Sequence, residues 1–265
     1  MGIKLDFEGL YNTRDLGGAV CGEYEKITTG KLFRSSLLAS ATDNDVSRLG
    51  KMISTVVDFR TEKEIAERPD AVIPGVKYYH VPIISTLAIG ITRDVESEEK
   101  ANELVRKDPE IAKKSMIGMY RAFVNDEYVR GQCRRFLDIL LSAPDTDSGI
   151  LWHCTAGKDR AGFCTAVVQK ILGADDEYIK NDYLLTNIYN AEDVRKIFEM
   201  IRSSGTPLDA DSENALHYLF DAREEYIDAL YDEAGKVYGS FDGYIRDGLG
   251  IDGDAVREMR RKYLI

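Results

Sequence analysis

Cys154 and Arg160 frame a short polar loop, with five residues between them. The loop follows an apolar run at residues 149–152 and precedes a helix-like run at residues 163–172 that ends at Gly173. Backbone N–H groups in a loop between a strand and a helix converge on one centre, and the positive end of the helix dipole favours an anion there. A thiol at such a position is favoured as the nucleophilic thiolate, and a guanidinium can grip two phosphoryl oxygens. The pattern predicts a site that binds an oxyanion and attacks it.

The predicted phosphate-binding residues are contiguous: Thr155, Ala156, Gly157, Lys158, Asp159 and Arg160. Gly157 is expected where the loop needs a positive φ or a close backbone approach. His153 is expected to order the loop by hydrogen bonding rather than to transfer protons. Lys158 is either a surface charge or a contact for a second phosphate, and its place at the rim of an anion pocket favours the second interpretation. The loop lacks the Gly-x4-Gly-Lys-Ser/Thr arrangement of a Walker nucleotide site.

The chain resembles the cysteine-dependent protein tyrosine phosphatases. Cys-x5-Arg preceded by His is similar to their signature, and His-Cys-x-x-Gly-Lys-Asp-Arg is close to its form in one bacterial branch, which includes mycobacterial phosphatase B and related Listeria enzymes. Other segments that look like family segments are residues 12–18, 32–36, 57–60, 182–187 and 238–244. The resemblance covers most of the chain. It implies an α/β protein tyrosine phosphatase fold, with a helical lid insertion and an all-helical C-terminal region.

The resemblance also implies a reaction. Cys154 would attack phosphorus in line and form a phosphocysteine that water hydrolyses, while the loop amides and Arg160 stabilise the equatorial oxygens. No metal and no other cofactor is required. The branch is associated with phosphotyrosine, phosphoserine/threonine and phosphoinositides. The expected partners are therefore a phosphorylated protein or peptide, a phosphoinositide, and phosphate or another oxyanion held in the loop.

The general acid has three candidates. Asp159 is the first, because it resembles the acid placed inside the loop of some lipid-directed relatives. Asp58 is the second and Asp94 the third. The structural alternative for Asp159 is an ion pair with Lys158 or Arg160.

Ala161 departs from the family, which usually places Ser or Thr directly after the arginine. The family's hydroxyl assists departure of the cysteine in the second step, so hydrolysis of the phosphoenzyme is expected to be slow here. A phosphate-recognition domain without turnover is the alternative. A sulfur-transferring, rhodanese-like enzyme is a third hypothesis, and Arg160 at the helix start favours phosphate over sulfane sulfur.

Four charged residues outside the loop are candidates for the border of the substrate pocket: Arg14, Asp15, Arg34 and Arg60. Nearby arginines would suit a substrate that bears more than one phosphate. The alternative for Arg14 and Asp15 is that they pair with each other and cap the sheet.

Alternating strands and helices are predicted to position these residues. Residues 53–58 read as a buried strand that Asp58 ends, and residues 76–83 as a further strand. A capping box at Thr42 begins the helix before them. The alternation implies a mainly parallel sheet with ligands beyond the carboxyl ends of its strands, and Asp58, Arg60 and Cys154 would all lie at that edge.

Charged helical sequence occupies about residues 85–126, which is long for a connection and is typical either of a lid or of an ordinary helical layer. Helical periodicity continues after Gly173 and predicts helices at residues 175–190, 192–203, 212–238, 240–249 and 252–264. No linker divides the chain, so we expect a single domain over residues 1–265 with one insertion.

The composition of the chain limits which classes of function are expected. A net charge of −11 over 265 residues argues against a general nucleic-acid or anionic-membrane binder, since both need a basic face. We find no apolar run long enough to span a bilayer and no leader-like start, so no stable membrane insertion and a cytoplasmic location are expected, although secretion without a signal would leave no mark. The four cysteines and three histidines are too scattered to predict a disulfide scaffold or a metal site.

Overall fold

The computed structural model describes residues 2–85, 109–205 and 208–265. A mainly parallel sheet lies at its centre, in the order β1-β2-β5-β8-β6-β7. Its strands are β1 (Ile3–Lys4), β2 (Arg14–Asp15), β5 (Leu32–Ser35), β6 (Ile53–Asp58), β7 (Lys77–His80) and β8 (Gly149–His153), and β3 (Val20–Cys21) pairs separately with β4 (Glu25–Lys26). Four neighbouring strands of the sheet run parallel, namely β5, β8, β6 and β7, while β1 and β2 form an antiparallel edge. The predicted fold class is confirmed.

Helices cover this sheet and make up the C-terminal region. They are α1 (Asp43–Met52), α2 (Glu62–Glu67), α3 (Pro109–Asn125), α4 (Glu127–Ser142), α5 (Asp159–Leu172), α6 (Asp176–Leu184), α7 (Thr186–Tyr189), α8 (Ala191–Ser203), α9 (Ala210–Phe220), α10 (Glu224–Tyr238), α11 (Phe241–Gly243) and α12 (Gly253–Tyr263). Capping boxes begin α1 at Thr42 and α2 at Thr61, where a side chain at the third helical position bonds back to the cap. Gly173 ends α5 with a φ of 97°, the left-handed conformation that glycine adopts without strain.

The sequence wrongly predicted one helix over residues 212–238. The chain leaves the helix at Asp221, which has extended backbone angles, and α10 begins at Glu224. Asn187 accepts a hydrogen bond from the Ala222 N–H and donates one to the Ala222 carbonyl. No glycine or proline marks this break, because a distant side chain satisfies the backbone groups that helix termination exposes.

β8 is the centre of the core. Each of its five residues is buried, and Trp152 packs edge-on against Phe136 of α4. A separate, smaller apolar cluster joins α8 to α9, and its buried members are Ile197, Phe198, Ile201, Leu216 and Phe220. The helical hairpin α8–α9 therefore has a small core of its own beside the main one.

The predicted insertion is described only from α3 onward. α3 packs against α9 and α10 and buries Met116, Tyr120 and Phe123. Residues 86–108, and with them the candidate acid Asp94, lie outside the described residues, so the lid stays a prediction. Among the helices described, none has the length and apolar character needed to cross a membrane.

Candidate active site

The loop after β8 lies where the sequence predicted it, at the carboxyl edge of the parallel strands. β5 and β6 flank β8, with Ser35 and Asp58 in register with His153. α5 begins at Asp159 and is buried along nearly all of its length. The thiol of Cys154 is buried as well, with the residue 2% exposed.

The loop's carbonyl groups are bound by donors outside the loop. Leu37 N–H donates to the Thr155 carbonyl at 3.0 Å. Two asparagine side chains, Asn12 and Asn190, donate to the Ala156 carbonyl at 3.2 and 2.9 Å. A trans peptide points its N–H opposite to its C=O. The amides that follow these carbonyls therefore turn toward the inside of the loop, which is the arrangement that binds an oxyanion.

Gly157 allows the loop to turn back at this point. Its φ is 66°, and a Cβ there would lie 2.6 Å from the Ser35 carbonyl oxygen. The Gly157 carbonyl also accepts hydrogen bonds from Asn12 and from Arg34. The predicted need for glycine is confirmed, because both the conformation and the close approach exclude a side chain.

Arg160 is held by a carboxylate that the sequence analysis missed. Glu64 of α2 accepts from both terminal nitrogens of Arg160, at 2.7 and 2.8 Å. The same carboxylate accepts from the Thr155 hydroxyl at 2.5 Å and from the Thr61 N–H at 2.8 Å. Such a two-oxygen fork fixes the plane of the guanidinium. The clamp is therefore oriented before any substrate arrives.

Glu64 is ionised in this setting. Burial opposes its charge, but the Arg160 guanidinium and the hydrogen bonds lower the pKa of Glu64 to about 2. The only feature of the sequence that singles out Glu64 is the capping box Thr61-x-x-Glu64. That pattern indicates the start of a helix and does not identify a partner for a distant arginine.

His153 belongs to a second buried cluster, with Asp58, Arg60 and Asp70. Its Nε2 lies 3.0 Å from Asp70, and its carbonyl accepts from Phe59 N–H at 2.9 Å. Burial opposes charging of the ring, but the carboxylates of Asp70 and Asp58 raise the pKa of His153. These contacts fit the predicted ordering role.

Asp58 and Arg60 bind each other. The guanidinium of Arg60 lies 2.7 Å from Asp58 and 2.8 Å from Asp70. Ligand atoms of His153 and these two carboxylates also lie within 4.8 Å of one another, as in a metal site. The guanidinium already supplies the positive charge that such a pair of carboxylates needs, so we assign no metal here. The same pairing occupies Asp58, the second candidate acid.

Arg14 and Arg34 share the buried carboxylate of Asp182, each at 3.3 Å. Asp15 instead accepts hydrogen bonds from the backbone N–H groups of Gly17 and Gly30, so the alternative in which Arg14 pairs with Asp15 does not hold. Both arginines are 0% exposed, and Arg34 donates to the loop carbonyl of Gly157. They support the loop from its outer side, and their direct contact with substrate stays a prediction.

Asp159 and Lys158 lie side by side at the start of α5. The hydroxyl of Tyr120 donates to Asp159 at 2.8 Å, and the Lys158 ammonium lies 3.6 Å from the same carboxylate. Lys158 is 1% exposed and donates to the carbonyls of Leu219 and Asp221 at the end of α9. The interpretation of Lys158 as a surface charge is therefore wrong. The lysine ties the loop to the helical hairpin α8–α9.

Comparison with known proteins agrees with this geometry. A family model described as the tyrosine phosphatase family matches residues 5–265. The chain belongs to the tyrosine phosphatase family. It is 28% identical over 277 residues to the triple specificity protein phosphatase PtpB of Mycobacterium tuberculosis, covering 96% of this chain and 97% of that protein. A Cupriavidus necator protein, named provisionally as a tyrosine-protein phosphatase, is also 28% identical, over 98% of this chain and 88% of its own length.

Membership of the tyrosine phosphatase family makes this chain a cysteine-dependent phosphatase. Ala161, which departs from the family pattern, is fully buried. Its carbonyl accepts from the Thr165 hydroxyl at 2.7 Å, and that hydroxyl in turn accepts from the Trp152 ring N–H at 2.9 Å. The Thr165 hydroxyl therefore donates within α5 and accepts from the core residue Trp152.

Proposed function

We propose that this phosphatase hydrolyses phosphotyrosine in proteins or peptides. Cys154 is the nucleophile, Arg160 and the loop amides bind the transferred phosphoryl group, and Asp159 protonates the leaving oxygen. The observation that carries the proposal is the orientation of the loop: its carbonyls are bound from outside and Arg160 is fixed by Glu64. Both features support an arrangement in which donors surround the phosphoryl group at Cys154 before reaction.

The reaction runs in two displacements at phosphorus. The Cys154 thiolate forms the S–P bond as the P–O bond to the tyrosyl oxygen breaks, and Asp159 gives its proton to that oxygen. Water then attacks the phosphocysteine, with Asp159 taking a proton from it, and the S–P bond breaks to release phosphate and the thiolate. The fixed guanidinium of Arg160 matches the equatorial oxygens through both steps.

We also propose activity on phosphoserine/threonine and on phosphoinositides. Support comes from the triple specificity of the PtpB relative and from Lys158, an ammonium at the loop. Lys158 donates to the neutral carbonyls of Leu219 and Asp221, and its ammonium also lies 3.6 Å from the Asp159 carboxylate. A second phosphate carries full negative charge and would compete well for this cation. Movement of the end of α9 would expose Lys158 to such a substrate.

Release of phosphate from an aryl phosphate by the purified chain tests the core of the proposal. Cys154→Ser should abolish turnover, and Arg160→Lys should lose most of it, because an ammonium does not reproduce the planar two-oxygen contact. Equal trace activity in the wild type and in Cys154→Ser would refute catalysis by this loop.

Substrate breadth needs its own comparison, with phosphotyrosine peptides and soluble phosphoinositides assayed side by side. Lys158→Ala should reduce phosphoinositide hydrolysis more than peptide hydrolysis. Lys180→Ala, which removes a lysine from the surface of α6, is the matched control. Phosphoinositides left intact by the wild type would limit the enzyme to protein substrates.

A further inference from the structure

A chain of buried hydroxyl groups leads from the helical layer to Asp159. Tyr120 of α3 donates to Asp159 Oδ1 at 2.8 Å, and its hydroxyl lies 2.7 Å from that of Tyr183 on α6. These three residues are 0%, 1% and 3% exposed, in the order Tyr120, Tyr183 and Asp159. Water screens such contacts little, so each hydrogen bond has a strong effect on its partners.

The direction of the chain follows from counting hydrogens. Each tyrosine has one hydroxyl hydrogen. Tyr120 uses its hydrogen toward Asp159, so Tyr183 must donate to Tyr120. This series of hydrogen bonds therefore ends at one carboxylate oxygen, Oδ1 of Asp159. Neither tyrosine hydroxyl donates to the other oxygen, Oδ2.

Several charged and titratable groups face Asp159 besides this chain. Lys158 lies 3.6 Å away on the same loop, and Arg160 follows in α5. From α10, the ring of Tyr226 lies 5.7 Å from that of Tyr120, while its hydroxyl donates to the Tyr218 carbonyl. Tyr226 thus shares the aromatic cluster without a hydroxyl contact to the carboxylate.

We propose that Tyr120 is a positioning residue for the general acid, and that Tyr183 holds Tyr120 in place. The inference rests on the role of Asp159 in the proposed function. Tyr120 fixes Oδ1 as the acceptor oxygen, so the transferable proton resides on Oδ2. As that proton moves to the leaving oxygen, negative charge develops on the carboxylate.

This arrangement favours the transition state over the ground state. A hydroxyl donates more strongly to a carboxylate than to a protonated carboxyl group. The Tyr120 bond therefore strengthens as the proton leaves Asp159, which lowers the barrier of the protonation step. Substrates with good leaving groups need no proton and should gain little from it.

Tyr120→Phe tests the proposal in the full-length protein, with aryl phosphates of graded leaving-group pKa. The expected result is a loss of kcat/KM, which reports the first displacement, of about tenfold to a hundredfold for the poorest leaving group, with little change for the best. The basic limb of the pH profile should also move to higher pH, because a carboxylate that loses a donor ionises less readily. If Tyr120 had only a structural role, Tyr120→Phe would lower the rates of hydrolysis of all substrates alike and would leave the pH profile unchanged.

Three variants keep the test decisive. Tyr226→Phe removes a hydroxyl from the same aromatic cluster and should leave the leaving-group dependence and the pH profile unchanged. Asp159→Asn should itself slow poor leaving groups selectively, and Tyr120→Phe added to it should cost nothing further. Tyr183→Phe should act in the same direction as Tyr120→Phe but less strongly, and it serves if Tyr120→Phe does not fold.

Two results would overturn the inference, and they differ. If Asp159→Asn slows poor leaving groups but Tyr120→Phe and Tyr183→Phe behave as wild type, the positioning role is refuted and the acid of the proposed function stands. If Asp159→Asn lowers kcat/KM equally for all substrates, the acid assignment fails and this inference fails with it. Cys154-dependent release of phosphate would still support the phosphatase activity.

Discussion

Two buried polar clusters support the catalytic loop from different sides, and they hold different parts of it. The Glu64 cluster, formed by Glu64, Thr61, Thr155 and Arg160, fixes a side chain that is proposed to touch substrate. The Asp182 cluster, formed by Asp182, Arg14, Arg34 and Asn12, fixes the loop backbone by donating to the carbonyls of Ala156 and Gly157. One cluster therefore orients the cation and the other orients the amides.

Their charge balance differs as well. Glu64 faces one arginine, and both groups keep their charge easily. Asp182 faces two arginines, and burial together with the neighbouring Arg14 lowers the pKa of Arg34 to about 10. Within the described part of the chain, Asp182 is the carboxylate that pairs with both buried guanidiniums. We therefore expect the Asp182 cluster to contribute mainly to stability and the Glu64 cluster mainly to catalysis.

Asp182→Asn should have the largest effect. The substitution keeps the shape of the side chain but leaves two buried guanidiniums facing a neutral amide, which should cost about 3–5 kcal/mol of the free energy of unfolding. Urea denaturation measures this loss. Asp228→Asn, which disrupts a half-exposed pair with Lys180, is the control and should cost less than about 1 kcal/mol. Similar losses in the two variants would contradict the role given to the Asp182 cluster.

Glu64→Gln should separate catalysis from anion binding. Without the fork, Arg160 loses its fixed plane, and kcat should fall on the order of a hundredfold. Removing a negative charge near the loop should at the same time leave inhibition by inorganic phosphate as strong or stronger. Steady-state assays with inorganic phosphate as inhibitor measure both kcat and the inhibition constant of phosphate. Glu62→Gln, an exposed change in the same helix, should alter neither, and weaker phosphate inhibition in Glu64→Gln would show that Glu64 holds the loop as a whole.

The sequence was most informative where the interacting residues are contiguous. The loop, the strand Ile53–Asp58 and the glycine at 157 were predicted from local pattern, because strand burial and backbone conformation are local properties. Glu64 and Asp182 were not assigned, since their partners lie 96 and 168 residues away in Arg160 and Arg14. A buried arginine predicts that a carboxylate exists, and only the fold says which one.

A third buried cluster, which contains His153 and Asp70, should make the stability of the fold depend on pH. The pKa of His153 is raised by Asp70, so its ion pair stabilises the fold fully below the unfolded-state pKa of about 6.5 and is lost as pH rises through the folded-state pKa. The free energy of unfolding should therefore decline with pH over that window. In Asp70→Asn the ring loses its nearest counter-charge, and the decline should be flatter. Urea titrations between about pH 6 and 9 compare the two slopes, and equal slopes would exclude this pair as the source.

Ala161 should give the smallest effect, and one confined to the second chemical step. Without a hydroxyl after Arg160, the departing thiolate lacks a donor that is worth about 1.5–3 kcal/mol, or about tenfold to a hundredfold in rate. The phosphocysteine should then accumulate, and rapid mixing with an aryl phosphate should show a burst. Ala161→Ser should raise steady-state turnover while leaving the burst rate nearly unchanged, because formation of the intermediate does not use that hydroxyl. Ala166→Ser, at another buried alanine of α5, controls for the cost of crowding the helix. If the wild type shows no burst and Ala161→Ser speeds nothing, the first step limits turnover and Ala161 does not slow this enzyme.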